Sequence, residues 1–383
     1  MKIGLLGYGV VGGGVYELTK ARGGSELDIA RVLVRRERAE LSDVAVTAVE
    51  DILADASIDT VVEVLGGEEP AHSMALRAIK AGKHLVTANK LMLSEHYEQL
   101  VRAARERGVS IAFSASVGGG IPFLVNVIQA CQADDILALG GIMNGTTNYI
   151  LSAMTNQGAE FGEALAAAQR LGYAEADPTA DIDGLDARCK LALAASVAWG
   201  GALEPGCIPV LGIRSIRAFD VAIFRQMGLC CKLIARAERT QRGVAAYVRP
   251  ELFALGAPEA GVNGTGNLIS FTGARVGKQC FSGLGAGKEP TAYAVYKDLM
   301  DVAGGGSPFD RVNCGQALCL DGENAKPTRA YVRTSAALPS GLCPESSLGG
   351  GAYLLEPVPP AALAAAMETI RKTDPGAFAA GLE

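Results

Sequence analysis

Residues 2–15 read KIGLLGYGVVGGGV, an apolar segment that leads directly into a cluster of glycines. The glycines fit the spacing G-x-G-x-x-G, with a strand-like segment before them and a helix-like segment after them. In such a turn the first glycine makes the bend, the second lets a pyrophosphate approach the backbone, and the third packs helix against strand. The N–H groups at the start of the helix favour phosphate. The residues expected to contact a dinucleotide here are Gly7, Gly9, Val10, Val11 and Gly12.

The next hundred residues continue the rhythm that this turn begins. Apolar strand-like segments alternate with amphipathic helix-like segments up to about residue 116, and the last two are a helix-like segment at 94–108 and a strand-like segment at 109–116. This alternation favours a parallel sheet with right-handed crossovers. After Pro122 a strand-like segment at 134–143 comes first, helical segments follow it, and longer strand-like segments come last, which indicates a mixed sheet. The predicted fold class is therefore α/β, with a Rossmann-type dinucleotide-binding domain and a second α+β domain for substrate binding and dimerisation. The expected boundaries are 1–128 for the first domain, 129–282 for the second, 283–303 for a segment that returns to the first, and 304–383 for a C-terminal extension.

Composition excludes several other classes of protein. The net charge is −6, and no basic run with interleaved aromatic residues occurs, so nucleic-acid binding is not expected. No apolar run approaches the ~18 residues of a membrane span, so no membrane partner is expected. The nine cysteines are irregularly spaced and show no metal-binding pattern, which favours free thiols in a reducing compartment, the cytoplasm.

The residues after the second predicted strand bear on the choice of dinucleotide. Sites selective for NAD usually carry an acid there, bonded to the ribose 2′-hydroxyl. This chain has Arg35 and Arg36 at that place and no acid before Glu37. Paired guanidinium groups suit a 2′-phosphate, which predicts NADP as the preferred cofactor and NAD as the other. The alternative is a solvated basic loop.

Lys90 follows the segment HLVTAN at the carboxyl end of a predicted parallel strand. Ligands of open α/β sheets bind outside those strand ends, so Lys90 is a candidate for the site. The alternative is a surface lysine that begins a helix.

Five carboxylates crowd into residues 174–190, AEADPTADIDGLDARCK, which end on a lysine. Asp186 and Lys190 are four positions apart at the start of a predicted helix, so they share one face. The alternative is an exposed ion pair that contributes ~0.3–0.5 kcal/mol. A lysine oriented by a carboxylate is also chemically adequate as a proton donor to an alkoxide, and each of the three histidines stands isolated within an otherwise unremarkable segment.

The longer stretch 168–190, AQRLGYAEADPTADIDGLDARCK, resembles the characteristic motif of the homoserine dehydrogenase family. The glycine turn, TANK at 87–90, SVGGGIP at 116–122, NGTTNYIL at 144–151 and GLGAG at 283–287 also resemble segments of that family, in the same order. The resemblance covers residues 1 to about 303.

The resemblance implies interconversion of L-homoserine and L-aspartate 4-semialdehyde with NADP or NAD. It implies that Lys190 is the general acid/base at the C4 oxygen of this small-molecule substrate, and that Asp186 holds both Lys190 and the substrate. Glu175 is then expected to bind the substrate amino group, and Lys90 to lie between the nicotinamide and the substrate oxygen. Gly172 and Gly287 are expected to contact the cofactor. The competing interpretations are a dehydrogenase of another amino-acid semialdehyde and a non-catalytic NADP-binding regulator.

Two features differ from the family pattern. Members commonly carry a glutamate where this chain has Ser114, beside backbone carbonyls that bind sodium; here only the carbonyls of Val117, Gly119 and Ile121 remain, which predicts a weak site. Long members end in an ACT-type domain. The C-terminal extension has strand-like segments at 328–335 and 352–357 and a helix-like segment at 360–372, so it is expected to fall short of a full βαββαβ unit. The family also implies a homodimer or homotetramer, in which the second domain builds a sheet across two subunits.

Overall fold

The computed structural model describes residues 1–22, 26–36, 38–313 and 315–382. In chain order the strands of this part are β1 (Lys2–Leu6), β2 (Asp28–Leu33), β3 (Ala45–Val46), β4 (Thr60–Glu63), β5 (His84–Thr87), β6 (Ile111–Ala112), β7 (Ile136–Ile142), β8 (Leu229–Arg239), β9 (Val244–Ala254), β10 (Gly266–Gly273), β11 (Gly277–Leu284), β12 (Thr328–Arg333), β13 (Pro344–Gly349), β14 (Ala352–Val358) and β15 (Phe378–Leu382). The α-helices of the same part are α1 (Val10–Arg22), α2 (Glu50–Leu53), α3 (Ala71–Lys80), α4 (Lys90–Arg107), α5 (Phe123–Ala130), α6 (Gly145–Gln157), α7 (Phe161–Arg170), α8 (Thr179–Ile182), α9 (Leu185–Trp199), α10 (Ala218–Gln226), α11 (Lys288–Ala303) and α12 (Pro360–Arg371).

These elements form two compact units, which are described separately. The first unit comprises Met1–Asp135, Ala192–Glu204 and Leu284–Ala317. The second unit comprises Ile136–Leu191, Pro205–Gly283 and Leu318–Glu383. The chain thus returns to the first unit near the expected residue 283, and the segment that returns continues to Ala317.

The first unit is built on a six-stranded sheet in the order β3-β2-β1-β4-β5-β6. The pairs within it are parallel. This is the strand order of the Rossmann fold, in which the order reverses beside the first strand and ligands bind at the carboxyl ends there. The predicted parallel sheet is confirmed. Its central strands β1 and β4 are buried almost throughout, so neither face of these strands is exposed to solvent. This is expected for a parallel sheet that is covered on both faces.

Two boundaries in the first unit differ from the sequence prediction. The helix expected from Ser94 begins at Lys90, because the side chain of Asn89 accepts a hydrogen bond from the Met92 N–H at 3.2 Å and caps the helix. The strand expected over 109–116 is limited to β6, and a short 3-10 turn at Ser114–Ser116 follows it.

The second unit contains a nine-stranded mixed sheet in the order β11-β10-β7-β8-β9-β15-β12-β14-β13. β7 pairs antiparallel with both β8 and β10, whereas β15 runs parallel to β9. The mixed sheet predicted for this part of the chain is confirmed. α6 packs against β8 and β10 of this sheet, and the first residues of α9, up to residue 191, belong to the same unit. These two helices supply polar side chains described below.

The C-terminal residues complete this sheet. β12, β14 and α12 were predicted from the sequence, whereas β13 and β15 were missed. β13 reads PESSLG and is mostly exposed, and β15 reads FAAGL, so neither shows the alternation of apolar and polar residues that marks a half-buried strand. The order β15-β12-β14-β13, with α12 before β15, is that of a βαββαβ unit in which residues 334–343 replace the first helix.

Candidate active site

The glycine turn between β1 and α1 has the geometry that its sequence predicts. Gly7 has φ 103°, a left-handed conformation that favours glycine. A Cβ on Gly12 would lie 2.2 Å from the Gly7 carbonyl oxygen, so a side chain there would force the turn apart. A Cβ on Gly9, by contrast, would meet no protein atom within 4 Å. Open space in front of a helix N-terminus, bounded by glycines that cannot be replaced, fits the pyrophosphate of a dinucleotide.

The segment that returns to the first unit packs against this turn's helix. A Cβ on Gly14 would lie 3.0 Å from the Cβ of Ala292, so α1 and α11 approach closely. Gly287 precedes α11 with φ 122°, again a conformation that favours glycine. A Cβ on Gly119 would lie 2.7 Å from the backbone of Gly285, so the second glycine-rich segment also contacts the loop of residues 116–122.

Basic residues follow β2, as predicted. Arg35 and Arg36 are exposed, and Glu37 lies outside the described residues. The sequence reasoning missed Arg38, whose guanidinium carbon lies 5.4 Å from the ring centre of Tyr8 within the glycine turn. Arg38 also lies 3.5 Å from the carboxylate of Glu40. A cation over an aromatic face is a favourable contact, so Arg38 is attached to the turn itself.

Lys90 begins α4 directly after β5, at the carboxyl end of the parallel sheet. A buried carboxylate beneath it organises this corner: Glu63 accepts from the Thr87 hydroxyl at 2.6 Å. The Asn89 side chain donates to the Gly67 carbonyl at 2.7 Å, and the Asn89 backbone N–H donates to the Thr87 hydroxyl oxygen at 3.0 Å. Burial raises the pKa of Glu63, which the hydrogen bonds from Thr87 and the backbone partly offset. The sequence reasoning missed Glu63 because it reads only as the last residue of an apolar strand.

Ser114 does not stand alone in the loop expected to bind sodium. Its hydroxyl donates to Asp298 Oδ1 at 2.6 Å, and its N–H donates to Asp298 Oδ2 at 2.9 Å. Asp298 is buried on α11, and burial raises its pKa to about 7 against the lowering effect of both bonds. Among the backbone oxygens expected to bind the ion, that of Ile121 accepts the Phe123 N–H at 2.8 Å. Within the described ranges, no group of three or more His, Cys, Asp or Glu side chains converges as metal ligands.

In the second unit, Lys190 and Asp186 form a close pair. Lys190 Nζ lies 2.7 Å from Asp186 Oδ2, and the side chains are only 8% and 9% exposed. The same Nζ donates to the carbonyl of Met143 at 2.8 Å. The alternative of an exposed i,i+4 pair is therefore wrong. A buried pair of this kind is a poor source of net stability, because removing both charges from water costs several kcal/mol.

A second carboxylate, which the sequence reasoning left without a role, joins this pair. Asn144 donates to Asp181 Oδ1 at 2.7 Å and to Asp186 Oδ2 at 2.9 Å. Burial and the charge of Asp186 raise the pKa of Asp181, whereas hydrogen bonds from Asn144 and Thr146 and the charge of Lys190 lower it. The second unit thus brings two carboxylates and one ammonium group together at the start of α6 and α9.

The turn before α8 carries the remaining predicted residues of this unit. Glu175 is exposed, and its carbonyl accepts from Gln169 at 3.1 Å. Gly172 has φ 75°, which favours glycine. The Thr146 hydroxyl donates to the Tyr173 carbonyl at 2.6 Å, which ties this turn to the first residues of α6. The contacts that the structure describes bring Lys190 and Asp186 together and do not include a contact between either of them and Glu175.

A Rossmann unit with a dinucleotide turn, joined in one chain to a buried lysine–carboxylate site, defines an NAD(P)-dependent oxidoreductase that acts on a CH–OH group. The comparisons with known proteins give the family. The model of the homoserine dehydrogenase NAD-binding domain matches residues 7–114, and the model of the homoserine dehydrogenase catalytic domain matches residues 122–300.

Among named relatives, the homoserine dehydrogenase of Synechocystis is 42% identical over 318 residues, which cover 79% of this chain and 73% of that protein. That of Pseudomonas aeruginosa is 38% identical over 341 residues, covering 86% and 76% respectively. The crystal structure of a homoserine dehydrogenase from Thiobacillus denitrificans is similar with a TM-score of 0.89 and 32% identity, over 100% of this chain and 98% of that one.

The chain belongs to the homoserine dehydrogenase family. The family's reaction is the NAD(P)-dependent interconversion of L-homoserine and L-aspartate 4-semialdehyde, a step of amino-acid biosynthesis. None of the helices in the part of the chain that the structure describes is long and apolar enough to span a membrane.

Proposed function

We propose that Lys190 is the acid/base of this dehydrogenase and exchanges a proton with the substrate's C4 oxygen. The observation that carries the proposal is the buried Lys190–Asp186 pair, anchored on the Met143 carbonyl. A lysine ammonium has three N–H donors. Two of these N–H donors bond to Asp186 and to the Met143 carbonyl, which fixes the orientation of the ammonium group. The third N–H can then donate to a substrate oxygen in a defined direction.

The proton balance follows from this geometry. A nicotinamide dinucleotide held by the glycine turn would supply the hydride to the substrate's C4 carbon in reduction, and would accept it in oxidation. When the aldehyde is reduced, Lys190 donates its proton to the oxygen as negative charge develops there, and Asp186 keeps the ammonium oriented. When homoserine is oxidised, the deprotonated amine of Lys190 takes the hydroxyl proton.

The carboxylates of the second unit suit the other end of the substrate. Homoserine carries an α-ammonium group, which an anionic pair can recognise by charge-assisted hydrogen bonds. Glu175 is proposed as one partner, on the resemblance of its motif to the family. Asp181 is proposed as a second partner, because it lies beside Asp186 and shares its hydrogen-bond donor.

The cofactor contacts are proposed on the fit of the glycine turn. Its backbone is proposed to hold the pyrophosphate, and Lys90 is proposed to contact the nicotinamide and the substrate oxygen. The residues proposed to contact the cofactor are Gly7, Gly9, Val10, Val11, Gly12, Arg35, Arg36, Lys90, Gly172 and Gly287.

NADP is the proposed preference over NAD. The support is the exposed pair Arg35 and Arg36 at the end of β2, where an NAD site usually places an acid. Arg38 reinforces the positive charge on that side of the turn, although Glu40 lies beside it.

Two further proposals concern assembly and ions. The protein is proposed to be a homodimer or homotetramer, as the family resemblance implies. Any sodium site at Val117, Gly119 and Ile121 is proposed to be weak, because Ser114 supplies no charge and its hydroxyl is engaged by Asp298.

Lys190→Ala tests the central proposal. Turnover with homoserine and NADP should fall roughly 10²–10⁴-fold, the usual contribution of a positioned acid/base, while the Kd for NADPH measured by fluorescence titration stays unchanged. Lys83→Ala is the matched control, since Lys83 is also a buried lysine that donates to backbone carbonyls, Asp55 and Ile58, in the first unit. Turnover of Lys190→Ala within a few-fold of the control would remove Lys190 from the chemistry.

A further inference from the structure

Asn144 lies between the two carboxylates of the second unit and is only 4% exposed. It is the N-cap of α6, and its side-chain oxygen accepts from the Thr147 N–H at 2.9 Å and from the Thr147 hydroxyl at 3.0 Å. A backbone N–H can only donate, so the atom of the Asn144 amide that it meets must be the oxygen, and the other atom must be the nitrogen. The amide nitrogen therefore faces the site.

The nitrogen end makes both of its bonds to acids. One bond of 2.7 Å reaches Asp181, and one of 2.9 Å reaches Asp186 at the same oxygen that receives Lys190. Two neighbouring carboxylates repel each other, and donors that bond to the charged form of each offset that repulsion. Asn144 is the uncharged residue that supplies a donor to both.

We propose that Asn144 is a positioning residue of the active site: it holds Asp181 and Asp186 side by side as two anions, and so aims Asp186 at Lys190. The inference rests on the proposed roles of Asp186 and Lys190. Asn144 touches neither the reacting atoms nor the cofactor in this scheme, and its effect passes through the two carboxylates.

Helix capping alone does not account for an asparagine at this position. Aspartate and serine cap helices about as well as asparagine does, because only an oxygen acceptor is needed. The NH₂ group adds nothing to the cap, and both of its bonds are made to the carboxylates. The residue type is explained by the site.

The Asn144 amide is an uncharged donor that Asp181 and Asp186 share, and the charged groups around them are arranged as follows. Asp181 faces Asp186 and Lys190, both on α9, and receives a further bond from Thr146 on α6. The nearby cation Arg214 is directed elsewhere, since its guanidinium pairs with Asp183 at 2.8 Å. Loss of the Asn144 amide would remove a hydrogen bond from Asp181 and one from Asp186 at the same time.

Asn144→Asp is the sharpest test, because it keeps the cap oxygen and the side-chain size while replacing the donor by a third carboxylate. We expect the variant to remain folded with a lowered thermal midpoint, because the cap is retained while a third carboxylate is added beside two acids. We expect kcat/KM for homoserine at pH 7 to fall at least about tenfold, and its acid limb to move roughly one pH unit upward, since an added anion favours protonation of its neighbours. The KM for NADPH should not change. Asn144→Ser, which removes the donor and adds no charge, should lower kcat/KM with a smaller movement of the limb.

Asn148→Asp is the matched control. Asn148 lies one turn further along α6, is fully buried, and donates to the carbonyls of Val262 and Gly266, away from the carboxylates. The side-chain oxygen of Asn148 accepts from Lys232 Nζ at 3.0 Å, so the same substitution there adds a carboxylate beside an ammonium group and loses the two donated hydrogen bonds. It reproduces the general damage of an added carboxylate within α6. It should leave the acid limb in place.

Two outcomes separate this inference from the proposed function. If Lys190→Ala abolishes turnover while Asn144→Asp matches Asn148→Asp in kcat/KM and in the position of the acid limb, Asn144 has only a structural role and the inference is overturned. If Lys190→Ala retains turnover, the proposed function itself fails, whatever Asn144 does.

Discussion

Asp298 offers a test of the first unit that does not depend on catalysis. It is 1% exposed on α11, and its two carboxylate oxygens accept the hydroxyl and the N–H of Ser114. Burial is the main cause that raises its pKa from 3.8 to about 7; Asp301 adds to the rise and Lys297 opposes it. Asp298→Asn keeps the size and one acceptor while removing the titration.

The sign follows from proton binding. Between pH 3.8 and about 7 the folded protein holds a proton on Asp298 that the unfolded chain has lost, so the stability of the wild type falls as pH rises through this window. A shift of about three pKa units lowers the free energy of unfolding of the wild type by about 4 kcal/mol in total, and about 3 kcal/mol of this falls between pH 5 and pH 8. Asp298→Asn does not titrate, so it does not lose this stability. The free energy of unfolding of Asp298→Asn, minus that of the wild type, should therefore rise by up to about 3 kcal/mol from pH 5 to pH 8 and level off above pH 7.

Urea unfolding at pH 5, 6, 7 and 8 measures this difference. Trp199, the single tryptophan, belongs to the first unit, so its fluorescence reports on the unit that contains Asp298. Ser114→Ala is the companion variant: it removes the hydroxyl that lowers the pKa of Asp298, so its pH dependence should persist and move to higher pH. Parallel curves for Asp298→Asn and wild type across the whole range would show that the carboxyl titrates outside this window, and would refute the reasoning.

Three other predictions concern the cofactor, the ion and the assembly. Replacing Arg35 and Arg36 by serine should raise the KM for NADP by roughly 10–100-fold and leave the KM for NAD within a few-fold. A charge-assisted bond to a phosphate contributes roughly 1.5–3 kcal/mol, and solvent screening of these two exposed arginines should keep the contribution of the pair near that of one such bond. A wild-type enzyme that strongly prefers NAD would contradict this. Turnover should depend little on sodium when a bulky organic cation keeps the ionic strength constant, and Ser114→Glu should introduce a dependence on sodium. A large, saturable activation of the wild type by sodium would show that backbone carbonyls alone suffice to bind the ion. Light scattering at micromolar concentration should give at least a dimer, and a monomer mass of 39.5 kDa would contradict it.

The sequence predicted those parts of the fold whose signals are local. The glycine turn, the alternation after it and the Ala- and Leu-rich helix over Leu185–Trp199 each carry their own pattern within some fifteen residues. The contact between Ser114 and Asp298 spans 184 positions, and the sequence pattern around either residue does not indicate that the other is its partner. Arg38 was missed for a related reason: its partner Tyr8 reads as a variable position inside the turn.

In the candidate site, too, the residues with a local sequence signal were predicted, and the contacts made by distant segments were not. The family-like spacing selected Asp186 and Lys190, yet spacing alone could not decide between an exposed pair and a buried one, because residues four apart share a helix face in either case. Burial depends on what covers that face, and here the carbonyl of Met143, from the end of the segment before α6, completes the contact. Asn144 comes from the same segment, 42 positions before Asp186.

The burial of this cluster argues that function selects it. Replacing a buried ion pair by apolar residues of similar volume is often neutral or stabilising, so a fold gains little stability from Lys190 and Asp186. The second unit nevertheless places beside them another carboxylate, Asp181, whose repulsion Asn144 must offset. A core selected for stability alone would not retain two adjacent acids, a lysine and the amide that separates them. Such a cluster is expected where a substrate brings both an ammonium group and an oxygen that changes charge, because carboxylates pair with the first and a lysine exchanges a proton with the second.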